Sequence, residues 1–211
     1  MDAPRLADLA AVLGPPAGAA DAAFRAATAP AADLADPAHR AALLGWLNAW
    51  GCRIRVPRPG EPSPFDGAVA GWWAAWGRRL PARRATVATI PDRAVDALAA
   101  AYADLRDRPV ALGPGGGPRR LGPTAAAKAV HALRPRAVVP WDAAIAARLH
   151  GATTADAFAA HQRLARSWAV ALLAEAGTGE RALVARLGRP ETTLARLLDE
   201  YLYRTVTRGV G

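Results

Sequence analysis

The sequence predicts an all-α protein. Three observations carry that expectation. Apolar residues recur at helical spacing almost throughout, no segment alternates β-formers convincingly at a period of two, and proline and glycine cluster between the periodic stretches. The chain has 211 residues, 52% of them hydrophobic, enough for a sizeable core and too apolar for a disordered chain. The expected organisation is one helical domain over 1–211, in two lobes divided near 53–67, where RIRVPRPGEPSPFDG makes the longest break.

Taken in order, Leu6, Leu9 and Leu13 suggest a short first helix. A second starts near Asp36-Pro37, a capping residue followed by a first-turn proline, and carries Leu43, Leu47 and Trp50 on one face. Val69, Trp72, Trp73, Trp76 and Leu80 form a wide stripe. Val95, Leu98, Tyr102 and Leu105 form the next, after the cap-like Asp92. Two helices are expected within 121–149. A long one begins near Thr154 and presents Phe158, His161, Leu164, Trp168 and Leu172. The last, opened by Arg189-Pro190-Glu191, holds Leu194, Leu197, Leu198 and Tyr201. Pattern reading of this kind allows roughly eight to ten helices. ATVATI, 85–90, is the one short strand candidate, with a loop as the alternative. The glycine-rich run GPGGGPRR, 113–120, reads as a flexible loop; it lacks the Lys-Ser/Thr of a phosphate-binding loop and follows no credible strand.

Composition narrows the function classes. The one cysteine, Cys52, excludes an intrachain disulfide framework and any four-cysteine zinc or iron–sulfur site. His39, His131, His150 and His161 show no tight ligand spacing, so no catalytic metal or other cofactor is expected. With only Ser63 and Ser167 available, a serine hydrolase is not expected either. No apolar run approaches the roughly 18 residues of a membrane span, and MDAPRLADLA does not read as a secretory signal. A cytoplasmic monomer is the expectation. Basic residues outnumber acidic ones 27 to 18, giving a formal charge of +9. That excess favours polyanions such as duplex DNA, although 26 of the 27 are arginine, a bias that GC-rich codon usage also produces.

The stretch LGPTAAAKAVHALRPRAVVPWDAAIAARL, 121–149, carries the most chemistry. A tight turn at Gly122-Pro123 opens a helix on which Thr124, Lys128 and His131 share one face. Arg134-Pro135 ends it, and Ala137-Val138-Val139-Pro140 leads to Trp141-Asp142 and a second helix with Ile145 and Leu149 facing inward.

These residues resemble the helix-hairpin-helix DNA glycosylase superfamily over 118–149. Gly122 matches the second glycine of that family's hairpin, and Thr124 falls at its lysine-or-substitute position. Asp142 follows 18 residues later (142 − 124), where the family has its catalytic aspartate, and Ile145 matches the apolar residue after it. The resemblance implies a two-lobed helical fold and a DNA N-glycosylase of base excision repair. Arg120 stands where the hairpin's first glycine belongs. Thr124 in place of lysine implies a monofunctional enzyme with no lyase step, and the iron–sulfur cysteines of some members are missing.

A turn leading into a helix N-terminus aims free amides at one point and favours an anion there, so Gly122, with Arg119 and Arg120, is the candidate grip on a DNA phosphate. The alternative is an ordinary turn with two solvated arginines. Asp142 is the candidate catalytic carboxylate, stabilising positive charge on the sugar or activating water; the alternative is a plain helix cap. Lys128, the only lysine, is an auxiliary candidate or an ion-pair and phosphate contact, and His131 an auxiliary candidate or a packing residue. Trp141, Trp72, Trp73 and Trp76 are candidates for an aromatic pocket around a flipped base, with core packing as the alternative. Two other functions remain open: a non-catalytic DNA-binding relative of the same fold, and an N-glycosidase acting on small nucleosides.

Overall fold

In the computed structural model, residues 3–14, 18–58, 60–113 and 116–210 are described. Among them are ten α-helices and one small hairpin. The helices are α1 (Leu6–Val12), α2 (Ala19–Ala27), α3 (Pro37–Ala49), α4 (Pro64–Trp76), α5 (Asp92–Asp107), α6 (Pro123–Leu133), α7 (Ala143–His150), α8 (Ala155–Ala176), α9 (Glu180–Arg186) and α10 (Leu194–Leu202). The hairpin pairs β1 (Pro109–Leu112) with β2 (Pro118–Arg120), antiparallel, between α5 and α6. α10 runs on into a π-helical turn, Tyr203–Thr207.

Helix starts at Asp36 and Thr154 are as read from the sequence, whereas Asp92 is the first residue of α5 after the N-cap Pro91, and α10 starts at Leu194, beyond Arg189-Pro190-Glu191. Asp36, Ser63, Asp142, Thr154 and Thr193 each accept a backbone N–H with the side chain, which satisfies one of the orphan donors at a helix N-terminus. Helices α5, α6 and α8 form the centre of the molecule, with α5 packed on both of the others. Their buried faces carry Leu98, Tyr102, Leu105, Val130, Phe158 and Ala165. Tyr102 stacks on Phe158 with centroids 4.2 Å apart, and the Trp141 ring meets both edge-on. The buried core is continuous on either side of 53–67, and includes Ile54 and Phe65.

Three local readings are corrected. ATVATI is a turn rather than a strand. The run 109–120, expected to be a proline- and glycine-punctuated loop, forms the hairpin instead; residues 114 and 115 lie outside the described part. Its ladder is extended by Leu121 and Gly122, whose amides donate to Arg108 O and Arg106 O, both at 3.0 Å, so pairing with the end of α5 fixes the segment. Helices α2 and α9 add to the expected set; they are short, and each buries only one or two residues, Phe24 in α2 and Leu183 and Val184 in α9.

The segment Ala137–Trp141 positions the candidate site. It is irregular and fully buried, so its polar backbone needs partners inside the protein. Gln162 of α8, 1% exposed, supplies a matched pair: its Oε1 accepts from Val139 N–H at 3.0 Å, and its Nε2 donates to Val139 O at 2.8 Å. His131 of α6 donates from Nδ1 to Val138 O at 2.7 Å. α6 and α8 thus hold the approach to Asp142 by side-chain bonds to its backbone.

Candidate functional site

Asp142 is the N-cap of α7, in extended backbone conformation, with Oδ1 accepting Ile145 N–H at 2.9 Å. Buried Trp141, 1% exposed, anchors the residue before it. The Asp142 side chain is half-buried and faces a cavity of about 520 Å³, within the size range typical of small-molecule sites. The end of α3 contributes Trp50 to this cavity, α6 contributes Lys128, and α7 contributes Ile145. α10 and the π-helical turn contribute Arg196, Asp199, Glu200, Tyr203 and Arg204.

Each charged wall residue has an identifiable neighbour. Thr207 Oγ1 donates to Asp142 Oδ2 at 2.7 Å, so both carboxylate oxygens have a donor. An ionised carboxylate offers about four lone-pair sites, which leaves capacity toward the cavity. A carboxylate at a helix N-terminus also gains from the helix dipole. Lys128 Nζ donates to Trp50 O, at the C-terminal end of α3, at 2.8 Å and lies 5.3 Å from the Trp50 ring centroid. The Arg196 guanidinium covers the same ring at 4.3 Å and pairs with Asp199. Burial pushes the Asp199 carboxyl up to about 6, against the pull of Arg196 and Lys128. Glu200 accepts Gly14 N–H and pairs with Arg189 and Arg204.

The predicted residues divide into those at the cavity and those elsewhere. Asp142, Trp141 and Lys128 line it. Thr124, half-buried one turn before Lys128, does not. His131 is buried and lines a neighbouring 150 Å³ cavity with Asp21, Trp46 and Arg196; burial lowers its pKa to about 4, and its bond to Val138 makes it a structural tether. Trp72, Trp73 and Trp76 do not belong to the cavity around Asp142. Their indole N–H groups donate to Ala101 O, Asp33 and Asp104, tying α4 to its neighbours. The aromatic wall is Trp50, Trp141 and Tyr203 instead.

The turn at Gly122 also differs from expectation. Gly122 adopts φ +85°, a conformation natural to glycine, and starts α6 as predicted. Its amide is engaged by Arg106 O and Pro123 has none, so the turn presents fewer free donors than a hairpin grip requires. Arg119 and Arg120 are exposed on β2, where Arg120 lies 3.5 Å from Asp107. None of the three lines the Asp142 cavity.

Sequence reasoning missed Gln162, Asp199 and Thr207. A lone buried glutamine and an acidic residue within an amphipathic helix carry no signal by spacing, and a π-helical register is not legible in residue types. Among the described residues, no group of three or more His, Cys, Asp or Glu side chains could hold a metal ion, and no helix is long and apolar enough to cross a membrane. Comparison with family models, curated proteins and solved structures finds no significant match.

Proposed function

We propose that this chain is a monofunctional N-glycosidase resembling helix-hairpin-helix DNA glycosylases, which hydrolyses the bond between a damaged or modified base and its sugar in duplex DNA. One observation carries the reading: the carboxylate of Asp142, 18 residues after Thr124, opens onto a roomy cavity with aromatic and cationic walls. As the C1′–N bond lengthens, its electron pair leaves with the base and positive charge builds on the sugar. A fixed carboxylate facing that charge stabilises it. The Asp142 lone pairs not taken by Ile145 and Thr207 accept a proton from the water that attacks C1′. The departing base takes up a proton, Asp142 returns its own to solvent, and the products are the free base and an abasic sugar bearing a new anomeric hydroxyl.

Other features fit the same chemistry. Thr124 has no amine, so no Schiff base forms at that position, which fits a glycosidase without a lyase step. Lys128 spends one of its three donors on Trp50 O, leaving two for the substrate. The +9 charge, with exposed Arg119 and Arg120, supplies affinity for the phosphate backbone. The test is to incubate duplexes carrying single lesions with protein, then cleave abasic sites with alkali. Wild type is expected to release at least one base, and Asp142→Asn to slow release by about 100-fold or more. Equal rates in the two proteins would remove Asp142 from the reaction.

A second reading, an N-glycosidase of small nucleosides, is favoured by one observation: the Gly122 amide is already engaged and the Arg120 charge has Asp107 beside it. It predicts turnover of free nucleosides and no salt-dependent duplex binding. Binding to duplex without release of any base would favour a non-catalytic relative.

A further inference from the structure

Three acidic residues line the one cavity; Glu200 is taken up by Arg189, Arg204 and the Gly14 amide, which leaves Asp142 and Asp199, from different elements and in unlike surroundings. Asp142 starts α7 and has a donor on each oxygen. Asp199, on α10, is 7% exposed. Arg196, one turn earlier, meets its Oδ2, and its Oδ1 has no hydrogen-bond partner among the described residues. Asp199 is thus a nearly buried carboxyl with one oxygen uncommitted at a cavity wall. Burial is the main reason it holds a proton up to about pH 6. Arg196 and Lys128 oppose that effect, and the charge of Asp142 adds to it. The remaining charges of the wall, Glu200 and Arg204, pair with each other.

A neutral base leaves its sugar as an anion unless a ring nitrogen is protonated as the bond breaks. A base already cationic through N-alkylation needs no such help. We propose that Asp199 is the general acid of the glycosidic cleavage, handing its proton to the departing base while Asp142 acts at the sugar, so that the site is built for neutral nucleobases rather than cationic ones. This inference rests on the glycosidase reading above. The Asp199 O–H bond breaks, and its proton joins the ring nitrogen that receives the C1′–N electron pair. Water oxygen bonds to C1′, its proton passes to Asp142, and exchange with solvent restores both side chains. Paired carboxyl groups held apart in protonation by their environments are a general means of dividing acid and base work.

The experiment compares single-turnover base release by wild type, Asp199→Asn and Asp142→Asn. The probes are duplexes carrying one neutral base (hypoxanthine, uracil or 8-oxoguanine) and a duplex carrying one cationic 7-methylguanine. Wild type is expected to release a neutral base, with a rate that falls as pH rises above about 6. Asp199→Asn is expected to slow that release by about 100-fold and to lose the alkaline fall. It is expected to leave any 7-methylguanine release within a few-fold of wild type, while Asp142→Asn slows both. Equal slowing of both base classes by Asp199→Asn, no slowing, or wild-type action on 7-methylguanine alone would overturn the Asp199 assignment and leave Asp142 standing. Release of no base by wild type would overturn the glycosidase reading, and this inference with it. Circular dichroism and a melting curve on each variant separate loss of fold from loss of chemistry.

Discussion

The Thr207 hydroxyl lies 2.7 Å from Oδ2 of Asp142, joining the π-helical turn after α10 to the first turn of α7. The two residues are 65 positions apart, and α7 packs on that turn. A π-helical register widens a helix locally and recurs at functional sites. Here it brings Thr207 to the carboxylate and Tyr203 and Arg204 to the cavity wall. Under the glycosidase proposal Thr207 positions the Asp142 carboxylate. Thr207→Val is expected to lower base release roughly tenfold, about 1.4 kcal/mol, through kcat rather than KM. Thr207→Ser is expected to recover most of it, since the donor returns. If valine and serine behave alike, the hydroxyl does not orient Asp142.

Asp199 makes stability depend on pH. Its carboxyl sits at about 6 in the folded protein against 3.8 in a model peptide. The protonated form is the one the fold favours, so this contribution is fully present below 3.8 and lost as pH rises through 6. The difference is on the order of 3 kcal/mol. Asp199→Asn, which carries no charge at any pH, is expected to melt higher than wild type at pH 8 and close to it at pH 4. Thermal unfolding at the two pH values reads this directly, and a lower melting point for the variant at pH 8 would contradict it.

Two buried histidines act in the opposite direction. Burial lowers His131 to about 4 and His161 to about 3, where His150 adds repulsion. Their neutral forms belong to the fold, so their contribution is complete above 6.5 and is lost as pH falls toward those values. Each loses about 1.4 kcal/mol per pH unit in the window, and the pair outweighs the gain from Asp199. The melting temperature is therefore expected to fall between pH 6 and pH 4.5. Among the described residues His161 Nε2 has no hydrogen-bond partner, and Asp199 offsets about one of the two histidines, so His161→Phe is expected to remove most of that fall. An unchanged slope would assign acid sensitivity to other groups.

Arg119 and Arg120 are exposed, so replacing both with alanine is expected to leave stability within about 0.5 kcal/mol. If they meet phosphates, duplex affinity falls similarly for all sequences. The slope of log K against log salt then becomes shallower by about 1 to 2. Titrations at four or five salt concentrations suffice, and an unchanged slope would move the DNA surface elsewhere.

Much of this arrangement was readable from residue types. The Asp142 cap, the Gly122 start of α6 and the apolar stripes of α5 and α8 each follow from a local rule that tertiary packing did not override. The β1–β2 hairpin was hidden because proline and glycine at 109–118 look alike in a loop and in a short paired ribbon. Trp72, Trp73 and Trp76 could not be sorted from Trp50 and Trp141 by spacing, since an aromatic stripe serves a core and a pocket equally. What separated them was where each indole N–H found its acceptor and which helix ends converge on Asp142, both properties of the assembled fold.

The central claim is that Asp142 faces a sugar that becomes cationic. It is tested without knowing the base by binding to a duplex in which one nucleotide is a cationic pyrrolidine, compared with a duplex carrying neutral tetrahydrofuran at that position. A protein that stabilises the cationic transition state is expected to bind the pyrrolidine duplex about 100-fold more tightly, and Asp142→Asn to lose that preference while still binding tetrahydrofuran. Equal affinity of the wild-type protein for the two duplexes would contradict the account.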